Sequence, residues 1–421
     1  MRLLPLLAIV FLFCSATQRA GAQNQTDPYA AAMQAYRAKD YAVYLENIRR
    51  VVQRLPYNVD VLELVARAYA LNGLAGESLA TLRNIAKVGA VADLRHPDLA
   101  RLKGLPELRQ LRAAFRRNNT ETRRSRAAFT LVEKDLIPEG IAYDGQTGTF
   151  YVGSIYKRKI VRVKRSGEIE DFISSRQDSI QNVLGMKVDV GRRLLWVCAV
   201  SGPPDKERAA TAAVYKYDLT GGKLIKKYES SDTAQKHLFN DIVIGESGDV
   251  FLTDSMSGSV LATRRASDAL ETLIGGRTFI YPNGIALSGD GHYMFVADAR
   301  GIHRVNLSNK EVRPVAHADT VSLAGIDGLY WYKGVLLGVQ NGFKPERIVR
   351  IELNGGLDRA ERLTVLEANN AIFNIPTTGA IARGAFYYIA NSQMRALDER
   401  EEIPFPEKLK ETKILVIPLG R

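Results

Sequence analysis

The chain has 421 residues, of which 46% are hydrophobic, 25% charged and 8% aromatic. This composition is typical of a globular protein and excludes a disordered, collagen-like or many-span membrane protein. The length allows two or three domains. The net charge is +12, and two cysteines are too few for a disulfide-stabilised scaffold.

Residues 1–22 have the pattern of a secretory signal peptide. Arg2 precedes an apolar run that ends at Phe13, and small residues at 20–22 precede Gln23. The pattern predicts cleavage and an exported protein, periplasmic or secreted, with no transmembrane span after cleavage. The alternative is an uncleaved membrane anchor, although the run is short for a span.

Residues 28–115 are helical by pattern, with apolar residues spaced three and four apart. A period of about 34 residues resembles a tetratricopeptide array. Such arrays present a groove to a protein partner, and a helical cap packed on the neighbouring domain is an equal alternative. Residues 116–127 are polar and basic and are predicted to form a linker. Residues 23–127 carry 18 Lys or Arg against 10 Asp or Glu, which we interpret as a solvated basic surface, since nucleic acid is not expected as a partner of an exported protein.

From residue 129 one unit recurs: a polar residue, a Gly, an apolar strand, a tight turn and a second strand. The copies begin at Glu139, Leu184, Asn240, Asn283, Asp327 and Thr378. Repeats of this length with strand signals predict a six-bladed β-propeller over 129–421, so the fold class is mainly β, preceded by a short all-α domain. The last blade has one strand too few, and Phe129–Lys134 is predicted to complete it against Lys413–Leu419.

The first strand of each blade lines the channel of a propeller, so the six residues at the heads of the copies converge. Two carboxylates and two amides are among them, and oxygen ligands of this kind suit Ca²⁺, Mg²⁺ or Mn²⁺ better than Zn²⁺ or Cu²⁺. The alternative is ordinary turn chemistry, because Asn or Asp before Gly is common in turns. A carboxylate at Glu139 favours the metal, since it is costly at a channel mouth without a counter-charge.

The propeller resembles the SMP-30/gluconolactonase/luciferin-regenerating family, within the paraoxonase-like group of six-bladed propellers. The resemblance lies in PEGIAYD, FNDIVIGESGDVFLTD, PNGIALSGDG and IDGLYWYKG. It implies a metal held by Glu139, Asn240, Asn283 and Asp327, one divalent cation for which Ca²⁺ is expected and Mg²⁺, Mn²⁺ or Zn²⁺ are possible by substitution. It also implies hydrolysis of a small-molecule lactone or ester.

The resulting hypothesis is a metal-assisted hydrolase in which Asp327 is the general base or the nucleophile. Asn240, Asp241 and His237 are predicted to line the substrate pocket. Leu184 stands where the paraoxonase-like branch has a catalytic His, so a His-based mechanism of that kind is not expected. Two alternatives stay open: a non-catalytic exported scaffold that binds a protein or small ligand, and a strictosidine-synthase-like propeller, which shares the PNGIALSGDG pattern.

Overall fold

The protein is described by a computed structural model that covers residues 27–201, 211–230, 232 and 235–420. The signal peptide predicted for residues 1–22 lies outside the described residues. Across the helices that are described, none has the length and apolarity needed to cross a membrane.

Residues 28–118 form a bundle that we call the helical module. Its α-helices are α1 (Pro28–Arg37), α2 (Tyr41–Arg54), α3 (Val59–Leu71), α4 (Ala75–Lys87) and α5 (Pro106–Asn118), with a 3₁₀ turn over Pro97–Leu102. Side chains stop the chain from fraying at helix starts: the Asp40 and Asn58 side chains accept hydrogen bonds from the backbone N–H of Val43 and Val61, both at 3.1 Å. The predicted helical region is therefore confirmed.

The described residues after the helical module form 24 strands in six four-stranded antiparallel sheets. The blades in chain order contain β2 (Pro138–Asp144), β3 (Thr149–Ser154), β4 (Ile160–Val163) and β5 (Ile169–Ile173); β6 (Asn182–Asp189), β7 (Leu194–Val200), β8 (Ala212–Asp218) and β9 (Leu224–Glu229); β10 (Phe239–Ile244), β11 (Val250–Asp254), β12 (Ser259–Thr263) and β13 (Leu270–Ile274); β14 (Ile285–Leu287), β15 (Tyr293–Asp298), β16 (Gly301–Asn306) and β17 (Val312–Pro314); β18 (Leu329–Tyr332), β19 (Val335–Gln340), β20 (Arg347–Leu353) and β21 (Ala360–Ala368); and β22 (Gly379–Ala382), β23 (Ala385–Ile389) and β24 (Thr412–Pro418) with β1 (Arg126–Leu131). The six-bladed propeller is confirmed.

The last blade closes the ring with a strand from the front of the chain. Its order is β22, β23, β24 and β1, and β1 pairs antiparallel with β24, with Phe129 opposite Ile414 and Thr130 opposite Lys413. The predicted closure is therefore confirmed. It covers an edge of β24 that would otherwise offer free backbone groups to another chain.

Strand direction alternates within each blade, so three features share one face of the propeller, which we call the upper face. They are the start of each first strand, the loop between the second and third strands, and the connection to the next blade. Contacts agree with this: the Asn341 side chain, from the β19–β20 loop, donates a hydrogen bond to Asp327 at the head of β18. The upper face therefore carries all the head residues.

The helical module packs on this upper face, over blades 4 and 5. The Tyr57 ring lies 4.6 Å from the His317 ring, and Ile280 and Ala299 pack against the apolar core of the first helices. This is the arrangement that the capping alternative predicts. The segment predicted as a linker, 116–127, starts within α5 and ends within β1, and between them Thr122 forms an antiparallel bridge with Ala368.

Candidate metal centre in the propeller channel

β-Bulges at the heads of three first strands turn side chains toward the channel. The register between first and second strands shifts between Pro138 and Ile141 in blade 1, and the same shift occurs around Asn240 in blade 3. A bulge leaves residues out of the ladder and re-aims their side chains, and bulges are frequent beside functional sites. The local chain geometry thus presents Glu139 and Asn240 to the axis.

Glycines next to the head residues let adjacent blades approach closely. A Cβ built on Gly140 would lie 2.0 Å from the carbonyl oxygen of Leu184, and one on Gly284 would lie 2.4 Å from that of Asp327. No larger residue fits without moving backbone atoms. The recurring polar-Gly pair therefore has two uses, since the first residue faces the channel and the second brings the blades together.

Three carboxylates are buried in the channel and influence one another. Burial, with the charges of Asp327 and Asp241, raises the pKa of Glu139 well above its ordinary value. Burial also raises the pKa of Asp327 to about 7, against hydrogen bonds from Asn341 and Asn283. Burial raises the pKa of Asp241 to about 6, against the charge of Lys187. Ionising all three carboxyl groups in the buried channel is therefore costly unless a further cation is present.

Two oxygen atoms of the predicted ligands are buried without a hydrogen-bond partner: Glu139 Oε2 and Asn283 Oδ1. Asn240 uses its amide nitrogen to donate to Ser255 Oγ at 3.0 Å, which leaves its amide oxygen for another partner. Buried polar atoms are normally paired, so unpartnered oxygens beside buried carboxyl groups fit a hard cation. The residues present therefore fit the divalent ion that the sequence resemblance implies.

The donor set has only two carboxylates, Glu139 and Asp327, and its other members are amides. Within the described ranges, no group of three or more His, Cys, Asp or Glu side chains is placed to hold a metal. A set of two carboxylates and two amides is the kind of site that sequence reasoning predicts, and its chemistry suits an oxygen-seeking ion rather than Zn²⁺.

Asp241 occupies the position that is Gly in most other copies. Its carboxylate accepts the backbone N–H of Ile242 at 2.8 Å and that of Ile285, in the next blade, at 3.3 Å. These bonds connect blade 3 to the short first strand of blade 4. Asp241 lies in the channel, and backbone N–H groups engage its oxygens, so its predicted contact with substrate stays a prediction.

His237, which was predicted to line the substrate pocket, is held elsewhere. Its Nδ1 lies 2.5 Å from Asp254 Oδ2, and its Nε2 lies 2.8 Å from the carbonyl oxygen of Asp232. The cavity that it lines, about 630 Å³, is lined also by Asp254 and Arg277 and by none of the four predicted metal ligands. The structure does not bring His237 to the ring of predicted metal ligands in the channel, which we call the polar ring.

Sequence reasoning missed two residues of the channel. Lys187, in β6, places its Nζ 5.1 Å from the centre of the Tyr330 ring in the opposite blade. Burial lowers its pKa, and the charge of Asp241 opposes that shift. The available signal was a Lys between the apolar residues Met186 and Val188 of this strand. Asn341 had no signal of its own, because it reaches Asp327 from a loop.

Comparisons with known proteins agree with this architecture. The family model described as "SMP-30/Gluconolactonase/LRE-like region" matches residues 137–331, a range that includes all four predicted metal ligands. Residues 137–331 are therefore similar to the SMP-30/gluconolactonase/LRE-like region, and they lie in a six-bladed propeller preceded by a helical module. No curated protein matches the chain.

Solved structures that resemble the chain are distant from it in sequence. A gluconolactonase of Xanthomonas campestris is 15% identical, with a TM-score of 0.48 over 69% of this chain and 89% of that one. A calcium-binding protein of Agrobacterium tumefaciens, regucalcin, is 16% identical, with a TM-score of 0.48 over 70% of this chain and 96% of the other. A luciferin-regenerating enzyme is 15% identical, with a TM-score of 0.48 over 69% and 95%.

Proposed function

We propose that the protein is a hydrolase of lactones or related esters that depends on one divalent cation, Ca²⁺ being the expected ion. The observation that carries the proposal is the pair of buried, unpartnered oxygens, Glu139 Oε2 and Asn283 Oδ1, beside the Asp327 carboxylate. The match of residues 137–331 to a lactonase-containing family supports it.

Glu139, Asn240, Asn283 and Asp327 would hold the ion. When bound, it would supply positive charge to polarise a substrate carbonyl and to stabilise the oxyanion that develops. Asp327 is the residue proposed for general-base or nucleophilic work, because it is a buried carboxyl group within the proposed ligand set. Asn341 donates a hydrogen bond to Oδ2 of Asp327 and so orients this carboxyl group.

The test starts with the metal content of protein purified without chelator, followed by lactone and ester hydrolysis with and without chelator. We expect about one equivalent of Ca²⁺ per chain by elemental analysis and activity that chelation abolishes. The Asp327→Asn variant should lose both the bound Ca²⁺ and the hydrolytic activity. Asp319→Asn is the control, because the Asp319 side chain is 90% exposed and should change neither quantity.

A wild-type protein that binds no divalent ion and hydrolyses no lactone would contradict the proposal. That result would favour a binding scaffold. A metal-free protein that converts a substrate by other chemistry would favour the strictosidine-synthase-like alternative.

Export to the periplasm or the cell exterior is also part of the proposal, on the pattern of residues 1–22 alone. A mature chain beginning at Gln23, measured by intact mass, would support it. The substrate is expected to enter between upper-face loops, among them 341–347 and 367–378. The loop between β7 and β8 belongs to the same face, and its residues 202–210 lie outside the described part of the chain.

A further inference from the structure

One loop of the propeller contacts both the helical module and the polar ring. We call residues 341–346, between β19 and β20, the docking loop. Its first residue, Asn341, donates its side-chain N–H to Asp327 Oδ2. Two residues later Phe343 is buried among apolar side chains of the helical module. The loop therefore spans the distance between a predicted metal ligand and a separate folded unit.

The inner end of the docking loop is packed against the segment that leads to Asp327. The Gly342 N–H donates to the Gly325 carbonyl at 3.1 Å, and a Cβ on Gly325 would lie 2.6 Å from the Gly342 oxygen. Gly325 has a φ of +74°, a conformation that glycine adopts without strain. Two backbones in such contact cannot shift independently, so a movement of the loop moves the chain beside Asp327.

The outer end of the docking loop is anchored to the helical module by three kinds of contact. The Lys344 Nζ lies 2.5 Å from Asp60 Oδ1, on α3, and the Val91 N–H donates to the Lys344 carbonyl at 2.9 Å. Phe343 is 1% exposed, and the Arg347 guanidinium lies 3.5 Å from the centre of its ring. An apolar anchor, an ion pair and a backbone bond together hold the loop in one place.

We propose that the helical module supports the metal centre. The module fixes the position of the docking loop, and the loop keeps Asn341 in contact with Asp327. Asn341 is then a positioning residue, because it acts through Asp327 and fixes which carboxylate oxygen faces the ion. The inference rests on the proposed metal-dependent function. It goes beyond that function by assigning a role to the helices, which the propeller chemistry does not require.

The first part of the test measures Ca²⁺ affinity by calorimetry on the full mature chain. Asn341→Ala should weaken Ca²⁺ binding about 10- to 100-fold, which is the usual range when a hydrogen bond to a metal ligand is removed. Asn341→Ser, which keeps a side-chain donor, should recover part of the affinity. The thermal midpoint of the metal-free protein should change little, because the loop keeps its backbone bonds.

The second part changes the far end of the loop. Lys344→Met keeps an unbranched apolar side chain and removes the charged amino group, and it should weaken Ca²⁺ binding by about 2- to 30-fold, the range for coupling through packed contacts. Asp319→Asn is the matched control, since it removes a different charged contact between module and propeller, Lys87 to Asp319 at 3.8 Å, and should leave the affinity unchanged. The double variant Asp60→Asn/Lys344→Met avoids a buried unpaired carboxylate if the single variant does not fold.

The decisive measurement is the double variant Asn341→Ala/Lys344→Met. If Lys344 acts through Asn341, the double variant should bind Ca²⁺ no more weakly than Asn341→Ala alone. Additive losses would overturn the proposed route through Asn341. Unchanged affinity in Lys344→Met and in Asp60→Asn/Lys344→Met would overturn the role of the module while leaving the hydrolase proposal intact. A wild-type chain that binds no Ca²⁺ would overturn both.

Discussion

Glu139 is buried with one unpartnered oxygen, and this burial, together with the charges of Asp327 and Asp241, raises its pKa well above the ordinary value. A carboxyl group whose pKa is raised by folding keeps its proton in the native state where the unfolded chain releases it. Native stability therefore falls as the pH rises from the unfolded value toward the folded one. In the metal-free protein this window opens near pH 4.5 for Glu139, and for Asp327 it ends near that residue's pKa of about 7.

We therefore expect the thermal midpoint of the protein in chelator to fall between pH 5 and pH 7.5. Glu139→Gln should flatten that fall, because glutamine has no proton to lose, and should be the more stable protein at pH 7.5. Glu311→Gln, at an exposed ion pair with Arg313, is the control and should follow the wild-type slope. Parallel slopes for Glu139→Gln and the wild type would show that Glu139 does not titrate in this window.

The head residues of the repeat could be predicted because they share one sequence position, and a propeller brings equivalent positions to one axis. Lys187 and Asn341 could not be predicted in the same way. Lys187 lies further along its strand than the head residue, and its amino group faces the Tyr330 ring of another blade. Asn341 meets Asp327 only because β19 returns to the upper face. Neither contact leaves a repeating trace in the sequence.

Among the elements, the first strands depend on glycines where blades meet. Gly140→Ala would place a methyl group 2.0 Å from the backbone oxygen of Leu184, and backbone cannot rotate aside as a side chain can. We expect a loss of about 3 kcal/mol or more, corresponding to roughly 4 °C in the thermal midpoint. Gly355→Ala is the control, since nothing lies within 4 Å of its Cβ position. Equal midpoints for the two variants would mean that the blades move apart at little cost.

The elements themselves follow from local sequence, whereas the packing of the helices on the propeller does not. The periodicity of residues 28–115 predicts helices, and the shortage of one strand in the last blade predicts the pairing of β1 with β24. The sequence of the helices alone does not decide whether they present a free groove or cap the propeller, because that depends on the propeller surface that they contact. That surface comes from Phe343 and Lys344, some 280 residues after α3 begins. Long-range contacts of this kind carry no local periodicity.

At the scale of the whole molecule, the helical module and the propeller share buried side chains. Phe343 from the propeller belongs to the core of the later helices, and Ile280 and Ala299 pack against the core of the earlier ones. Two units that bury each other's apolar side chains lose part of their cores when either one unfolds. We infer that they unfold as one cooperative unit.

The positions of the tryptophans allow a direct test. Both Trp196 and Trp331 lie in the propeller, so their fluorescence reports on it, whereas circular dichroism at 222 nm is dominated by the helices. The two signals should give the same thermal midpoint in the wild type.

Phe343→Ala, with an expected cost of about 3–5 kcal/mol, should weaken the shared core so that the 222 nm transition moves below the fluorescence transition. Phe405→Ala, at a residue 55% exposed, should leave the two coincident. Separate transitions in the wild type would instead mean that the module rests on the propeller without contributing to its stability.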